Sequence, residues 1–553
     1  MCLNNHIPSR TRANLPLSDK ERQAATAPAP SPGVFVREAT GLVKNVSFFD
    51  SIAMNMSNMS VGALLGVIGI SGLVPMLGHD MTGVNLVWLS VIGFLVSLPQ
   101  IAVYTIMSRR MPRTGGDYVW VSRTLGGPAG SVLSFMGYTT ETTAYLALIV
   151  LSTVFAIGSV GLFFNSSSST FLGLAVPGGG SGASPSSQFI VGAVIFAILI
   201  GINAVRPKAG YRLVSILTIF GFFALILAIA ALLNAGSNGV QNWVNGLGLN
   251  STTLGINGNG TAYSLVSSQG TTGFNFGNTV YLLPLMAAFI YPWLNAAPAV
   301  ASEIKGKSAV RWNVPVSAIL VFIFVTSALA TMYYVGSQAF INGAYSNPTL
   351  VFSYSFNFWT LAMGVAGNNI VAGLIGLGWI LANLSVLAYG VIVISRYLLA
   401  QSFDRFLPSK ISDVSPRFGS PMNAFLISLV VTIILVGLAA FYYSGVGGLF
   451  GATIASMIYF AFVGLAAAVW AIRKEKGAAK GILIIAGIGN IFVFGFLTYQ
   501  YVTNAVQWSL NNLTVYFVVG TFILGGVLYA GSYYYHKARG VDISLAYKEI
   551  PPE

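Results

Sequence analysis

The chain of 553 residues is 55% hydrophobic and only 7% charged, with a mean hydropathy of +0.76. A soluble fold of this length needs far more surface charge, so the composition excludes one and reads as a polytopic membrane protein. The net charge of +13 is distributed as membrane orientation requires, not as a nucleic-acid partner would, and a single cysteine, Cys2, excludes a disulfide framework or a cysteine-based metal cluster.

Residues 1–44 are polar and Pro/Ala-rich with no apolar core behind their charges, and read as a flexible tail, not a signal peptide. A helix crossing the bilayer needs about 20 apolar residues. Twelve segments fit: 47–76, 84–107, 128–158, 188–205, 211–234, 279–302, 313–336, 369–395, 422–442, 448–472, 481–501 and 513–535, numbered 1 to 12 below. Segment 1 has the polar run Ser57, Asn58, Met59, Ser60, Val61, Gly62, Ala63 at its centre.

Segment 3 contains YTTETTAY, and its Glu141 is the only acidic residue well inside any segment. Gly137, Tyr138, Ala144 and Tyr145 share its helix face, a small-and-hydroxyl surface suited to a bundle interior. An ionised carboxylate at mid-bilayer costs at least ~2.5–3.5 kcal/mol. No lysine or arginine lies in any segment to pair with it, so it protonates or finds another partner. Three roles are open to it: loading and releasing a coupling proton, a structural hydrogen bond between helices, or selection of cationic substrates.

Segment 6 holds Phe289, Ile290, Tyr291, Pro292, Trp293, Leu294 and Asn295, followed by Pro298. Proline removes a backbone hydrogen bond, and carbonyls bared at membrane depth are tolerated only where they line a cavity. In segment 8, Asn383 and Ser385 offer oxygens that could complete a cation site with carbonyls near Ser57–Met59.

All 27 Lys and Arg lie in the tails or in alternate loops, among them RRMPR, RPKAGYR, EIKGKSAVR and RKEKGAAK, and the intervening loops contain none. Basic residues concentrate in cytoplasmic loops. The expected placement is therefore multi-pass in the plasma membrane with both termini cytoplasmic. The long uncharged loops carry acceptor patterns for glycosylation at Asn165, Asn250 and Asn259.

Two interrupted segments five apart point to a duplicated five-helix architecture whose copies have opposite topology, because five is odd. The expected organisation is a tail (1–44), a first repeat (45–234), an extracellular loop (235–278), a second repeat (279–472), accessory helices (473–535) and a cytoplasmic tail (536–553). The breaks nominate as substrate contacts Ser57, Asn58, Met59, Ser60, Val61, Gly62 and Ala63 in segment 1, and Phe289, Ile290, Tyr291 and Trp293 in segment 6.

After segment 2 comes Met111-Pro112-Arg113-Thr114-Gly115-Gly116-Asp117-Tyr118-Val119-Trp120, then Leu125-Gly126 and Gly137-Tyr138. This resembles the P-x-S/T-G-G-x-Y signature of the amino acid–polyamine–organocation superfamily. Ser302-Glu303-Ile304-Lys305 is similar to that family's block after segment 6, and Ser395-Arg396-Tyr397 with Phe403-Asp404-Arg405-Phe406-Leu407-Pro408 to its block after segment 8. The resemblance covers about residues 45 to 472. It departs in the glycine spacing of SNMSVGALLGVIG, in Pro292 or Trp293 standing for a glycine, in Gly306-Lys307 standing for N-P, and in the lack of a lysine in segment 5. A family acid of segment 3 aligns nearer Thr143, so it assigns nothing to Glu141. Asp117, Glu303 and Asp404 with flanking arginines are candidates for ion pairs that open during transport.

The resemblance implies an all-α membrane protein of LeuT-like fold, with 12 transmembrane helices made of inverted five-helix repeats plus two accessory helices. It implies a secondary amino-acid permease, expected to need no cofactor or metal and to couple to H+, with Na+ the alternative ion. The partners expected are a small-molecule substrate and the lipid bilayer, with no nucleic acid. A polyamine or organic-cation carrier and a non-transporting nutrient sensor are the competing readings. An enzyme is not expected, since His6, His79 and His536 lie in tails or a loop and no intramembrane His/Cys constellation exists.

Overall fold

The computed structural model describes residue 42 and residues 44–67, 81–176, 182–442 and 445–550. The N-terminal tail with Cys2 and His6, the end of segment 1 and His79 lie outside them. Among the described residues ten helices are long and apolar enough to cross a membrane: Leu86–Arg110, Gly127–Phe164, Pro185–Val205, Pro207–Gly246, Lys307–Gly336, Asn369–Phe403, Met422–Phe441, Gly445–Lys474, Ala478–Thr503 and Asn512–Lys537. These are segments 2–5 and 7–12. Segment 5 overruns its apolar stretch and bends at Gly236, where φ is 60°.

Local chemistry sets the helix starts. On the face whose loops lack basic residues, asparagines cap the orphan N–H groups: Asn85 accepts from Val87 and Trp88, Asn368 from Val371, and Asn511 from Thr514. On the basic face, segment 5 instead begins with Pro207, whose missing N–H costs nothing in the first turn. Segment 1 opens with a capping box in which Ser47 and Asp50 satisfy each other's backbone, which gives Asp50 a structural task. The outward surfaces are apolar, with Ile190, Phe220, Ile434 and Phe522 all at least 48% exposed, as a lipid-facing surface requires. The loops of the face without basic residues are themselves helical, including Ala262–Gln269, Gln338–Ser346 and Phe358–Gly364.

Segments 1 and 6 are the interrupted ones. Segment 1 is helical over Phe48–Asn58 and again from Val61, with only Met59 and Ser60 between. Ser60 sits at φ 51°, in the left-handed region that side chains seldom adopt. The break thus falls inside the polar run Ser57–Ala63: Gly62 is helical, and the chain turns at Ser60, whose hydroxyl bonds locally to the Asn58 carbonyl at 3.0 Å. Segment 6 comprises the short helices Phe276–Tyr281 and Leu283–Ala287, an irregular stretch over 288–295, and the short helix Ala296–Ala299.

On the basic face the Thr114-Gly115-Gly116 turn is wedged between the ends of segments 6 and 8. Thr114 pairs with Val300 in an antiparallel bridge, and Gly115 N–H donates to Ala299 O at 2.9 Å. Gly115 has φ 89°, and a Cβ there would come within 2.5 Å of the Ala400 Cβ. Gly115→Ala is therefore expected to cost about 1–3 kcal/mol through backbone strain and overpacking. Ala400→Gly should return only the overpacking share. Thermal unfolding of the single and double variants in detergent checks this; equal midpoints for wild type and Gly115→Ala would refute it.

Candidate functional site

The break in segment 1 is held by hydrogen bonds from every side. The Tyr389 hydroxyl in segment 8 donates to Asn58 Oδ1. Asn58 Nδ2 donates to Asn295 Oδ1 at 2.8 Å, and Asn295 Nδ2 reaches Asp117 Oδ2 at 3.5 Å. One turn earlier, Asn55 Oδ1 accepts from Ala297 N–H at 2.9 Å and so caps the short helix that restarts segment 6. Ser57 Oγ shares a 2.6 Å bond with Thr218 of segment 5, and Trp359 Nε1 donates to Gly62 O at 2.9 Å. Among the described residues the N–H groups of Val61, Gly62 and Ala63 make no backbone hydrogen bond, which leaves three donors at the start of the second half-helix.

The aromatic residues of segment 6 separate into two groups. Phe289 stacks on Phe450 of segment 10 at 4.3 Å, and Tyr291 bonds Ser90 of segment 2 at 2.6 Å, so both are turned toward neighbouring helices. Ile290 is fully buried. Trp293 alone among them stacks on Tyr145 of segment 3, with ring centroids 5.4 Å apart, and its Nε1 satisfies the Ala288 carbonyl at 2.8 Å. The Tyr145 hydroxyl donates to Ser60 Oγ at 2.7 Å. Tyr145 thus joins both breaks, although composition and spacing gave it only as a neighbour of Glu141.

Glu141 lies one turn before Tyr145, just after a π-helical turn over Phe135–Thr140, a bulge type frequent at functional sites. It is 1% exposed, and Oε2 has no hydrogen-bond partner among the described residues. Segment 10 approaches here because position 137 is glycine: a Cβ there would lie 2.3 Å from the Tyr459 Cβ. That approach brings Ser456 beside the carboxyl, while the Ser456 hydroxyl itself donates to Gly137 O at 2.8 Å.

Ser57, Ser60, Val61, Gly62, Thr218 and Ser385 line a small cavity between segments 1, 5 and 8, with about 20 Å³ of free space, enough for one water or a small ion. Ser385 therefore meets the break as expected. Asn383 does not: its Nδ2 faces Ser152 O of segment 3 at 3.4 Å, because two residues along a helix turn the side chain to a different face.

Three carboxylates close the basic face. Asp117 pairs with no arginine or lysine among the described residues; it accepts from the hydroxyls of Tyr104, Tyr397 and Tyr459, which come from segments 2, 8 and 10. Burial pushes its carboxyl above its ordinary range, and these hydrogen bonds pull the other way. Asp404 makes a bidentate pair with Arg123, both side chains at most 3% exposed, and accepts from Tyr118 at 2.7 Å. Glu303 pairs with Arg396 at 2.8 and 3.0 Å and accepts from Tyr211 of segment 5 at 2.7 Å. The C-terminal tail joins this closure, since Arg123 Nε donates to Glu549 O and lies 5.5 Å from the centre of the Tyr547 ring. Two of the three acids thus form the ion pairs the sequence suggested, and tyrosines replace the arginine at the third.

Removing one member of a buried pair strands the other. Arg396→Met should therefore destabilise the protein by about 3–5 kcal/mol, whereas Glu303→Met with Arg396→Met should recover most of that loss. Thermal unfolding of the two single variants and the double variant measures the difference; a double variant no better than the worse single would contradict the assignment.

Comparison with curated proteins gives no significant match. The family model described as amino acid permease matches residues 46–524, which takes in both breaks, the Thr-Gly-Gly turn and the closing carboxylates. With ten apolar helices long enough to cross a membrane among the described residues, the chain is a multi-pass membrane protein with the LeuT-like helical fold and a transporter of small molecules. A match over most of its length, on the segments that build the site, means that the chain belongs to the amino acid permease family.

Proposed function

We propose that the protein moves zwitterionic amino acids by alternating access and that Glu141 carries the coupling proton. The observation behind the proposal is the Tyr145 hydroxyl bonded to Ser60 at the break, one helical turn from a buried carboxyl with a bare oxygen. The N–H groups of Val61, Gly62 and Ala63, without a backbone partner among the described residues, suit a carboxylate, and the carbonyls of the irregular stretch 288–295 suit an ammonium. On this reading segments 1–5 and 6–10 are the inverted repeats, segments 11 and 12 are accessory, and both termini face the cytoplasm of a plasma-membrane protein.

The surroundings of Glu141 favour the neutral acid. Ser456, the polar side chain that segment 10 brings beside it, gives its proton to Gly137 O, and Glu141 Oε2 has no hydrogen-bond partner among the described residues. Loss of the acid's proton leaves a buried charge that no cation faces among the described residues. Rearrangement that brings water to segment 3 relieves this cost, which links proton release to the change of access. A sodium ion in the cavity bounded by Ser57, Thr218 and Ser385 is the second reading for the coupling ion, carried by the hydroxyl oxygens gathered there.

The test is uptake of a radiolabelled amino-acid panel into proteoliposomes under an inward proton gradient, an inward sodium gradient, or neither. The proton gradient should accelerate wild-type uptake, and Glu141→Gln should abolish that acceleration while amino-acid exchange continues. A Glu141→Gln protein with wild-type acceleration would sink the coupling role. Acceleration by sodium alone transfers the role to the cavity, and uptake of polyamines in place of amino acids overturns the substrate class.

A further inference from the structure

A cavity of about 700 Å³ opens on the basic face between the start of segment 5, the end of segment 8 and the loop after it. Arg206, Lys208 and Arg212 line it, all exposed, and none has a hydrogen-bond or ion-pair partner among the described residues. The single acid on its wall is Glu303, and both of its oxygens are already committed to Arg396 and Tyr211. Three uncompensated cations therefore face one concave space. The positive end of the segment 5 helix, which begins at Pro207, opens into the same space and adds to the field.

Much of the remaining lining is apolar. Ile202, Val205 and Ile216 line the cavity and are 36%, 48% and 50% exposed. The same surface continues away from the basic face through Ile198 of segment 4 and Ile219 of segment 5, at 56% and 65% exposed. A soluble anion has no use for such a wall, and a zwitterionic lipid brings an ammonium that these cations repel. Basic pockets between membrane helices fit phosphate headgroups. We infer that this cavity binds an anionic phospholipid, its phosphate among Arg206, Lys208 and Arg212 and an acyl chain along Ile202 and Ile216. The site holds the start of segment 5, which also carries Tyr211 into the Glu303–Arg396 pair, so an occupied pocket braces that closure.

The experiment uses the purified full chain in non-ionic detergent, titrated with phosphatidylglycerol, phosphatidylcholine or inorganic phosphate. Bound lipid is read by native mass spectrometry and bracing by the thermal midpoint. Phosphatidylglycerol should bind and raise the midpoint, less so at high salt, while phosphatidylcholine and inorganic phosphate do neither at the same concentration. The variant carrying Arg206→Gln, Lys208→Gln and Arg212→Gln should bind phosphatidylglycerol on the order of 100-fold more weakly, at about fivefold per basic residue. Lys208→Gln alone gives a milder variant with the fold kept, expected to lose about fivefold. Lys474→Gln with Lys476→Gln, elsewhere on the basic face, should bind as wild type does. The inference fails if phosphatidylcholine binds equally, if inorganic phosphate raises the midpoint as much as the lipid does, or if the triple variant keeps wild-type affinity.

Discussion

A single line of hydrogen bonds runs through the interior, from the Tyr389 hydroxyl to Asn58, from Asn58 to Asn295, and from Asn295 to Asp117. Each break strips backbone groups of their helical partners where neither water nor lipid can replace them. The two asparagines answer this by joining the breaks to each other, and Asn55 does the same one turn away by capping the restart of segment 6. A side-chain amide both donates and accepts, so it can pass such a line onward without leaving a polar atom bare. The surrounding segments are positioned by what they contribute to this line: Tyr389 from segment 8, and Tyr104, Tyr397 and Tyr459 at the Asp117 end.

The buried carboxylates show how differently one chain can treat the same group. Asp404 and Glu303 each have a bidentate arginine and a tyrosine hydroxyl, which is what a buried ion pair needs to offset its desolvation. Asp117 has three tyrosines and an amide, and no formal countercharge. Glu141 has one serine beside it and an oxygen without a hydrogen-bond partner among the described residues. Stability alone favours a leucine over an acid so poorly served. The lack of compensation, more than depth in the membrane, sets Glu141 apart, and it is the physical basis for the proposal that the coupling proton sits there.

Much of this was legible in the residues. The apolar runs placed ten helices to within a few residues at most ends, and Pro292 marked the irregular part of segment 6, with Pro298 in the short helix just after it. Segment 1 was harder, since glycine is the usual residue for a sharp change of direction, yet here the left-handed position falls to Ser60. The alternation of basic loops separated the two faces, but whether a particular acid would meet an arginine or a set of tyrosines could not be read from it. The tyrosines that hold Asp117 lie 13, 280 and 342 positions away in sequence. The π-helical turn before Glu141 has no glycine or proline marker at the bulge itself beyond Gly137, whose role depends on segment 10 lying against it.

The sequence by itself determined the membrane class, the positions of the continuous helices, the two interruptions and the family, because hydropathy, proline and a short turn motif act over a few neighbouring residues. Only the tertiary structure decided which side chains meet. It turned Asn383 away from the break while Ser385 faced it, set Trp293 against Tyr145 while Phe289 and Tyr291 packed on segments 10 and 2, and left Glu141 Oε2 without a partner among the described residues. Those outcomes depend on helix rotation and on contacts between segments hundreds of residues apart, and a difference of one or two positions along a helix reverses them.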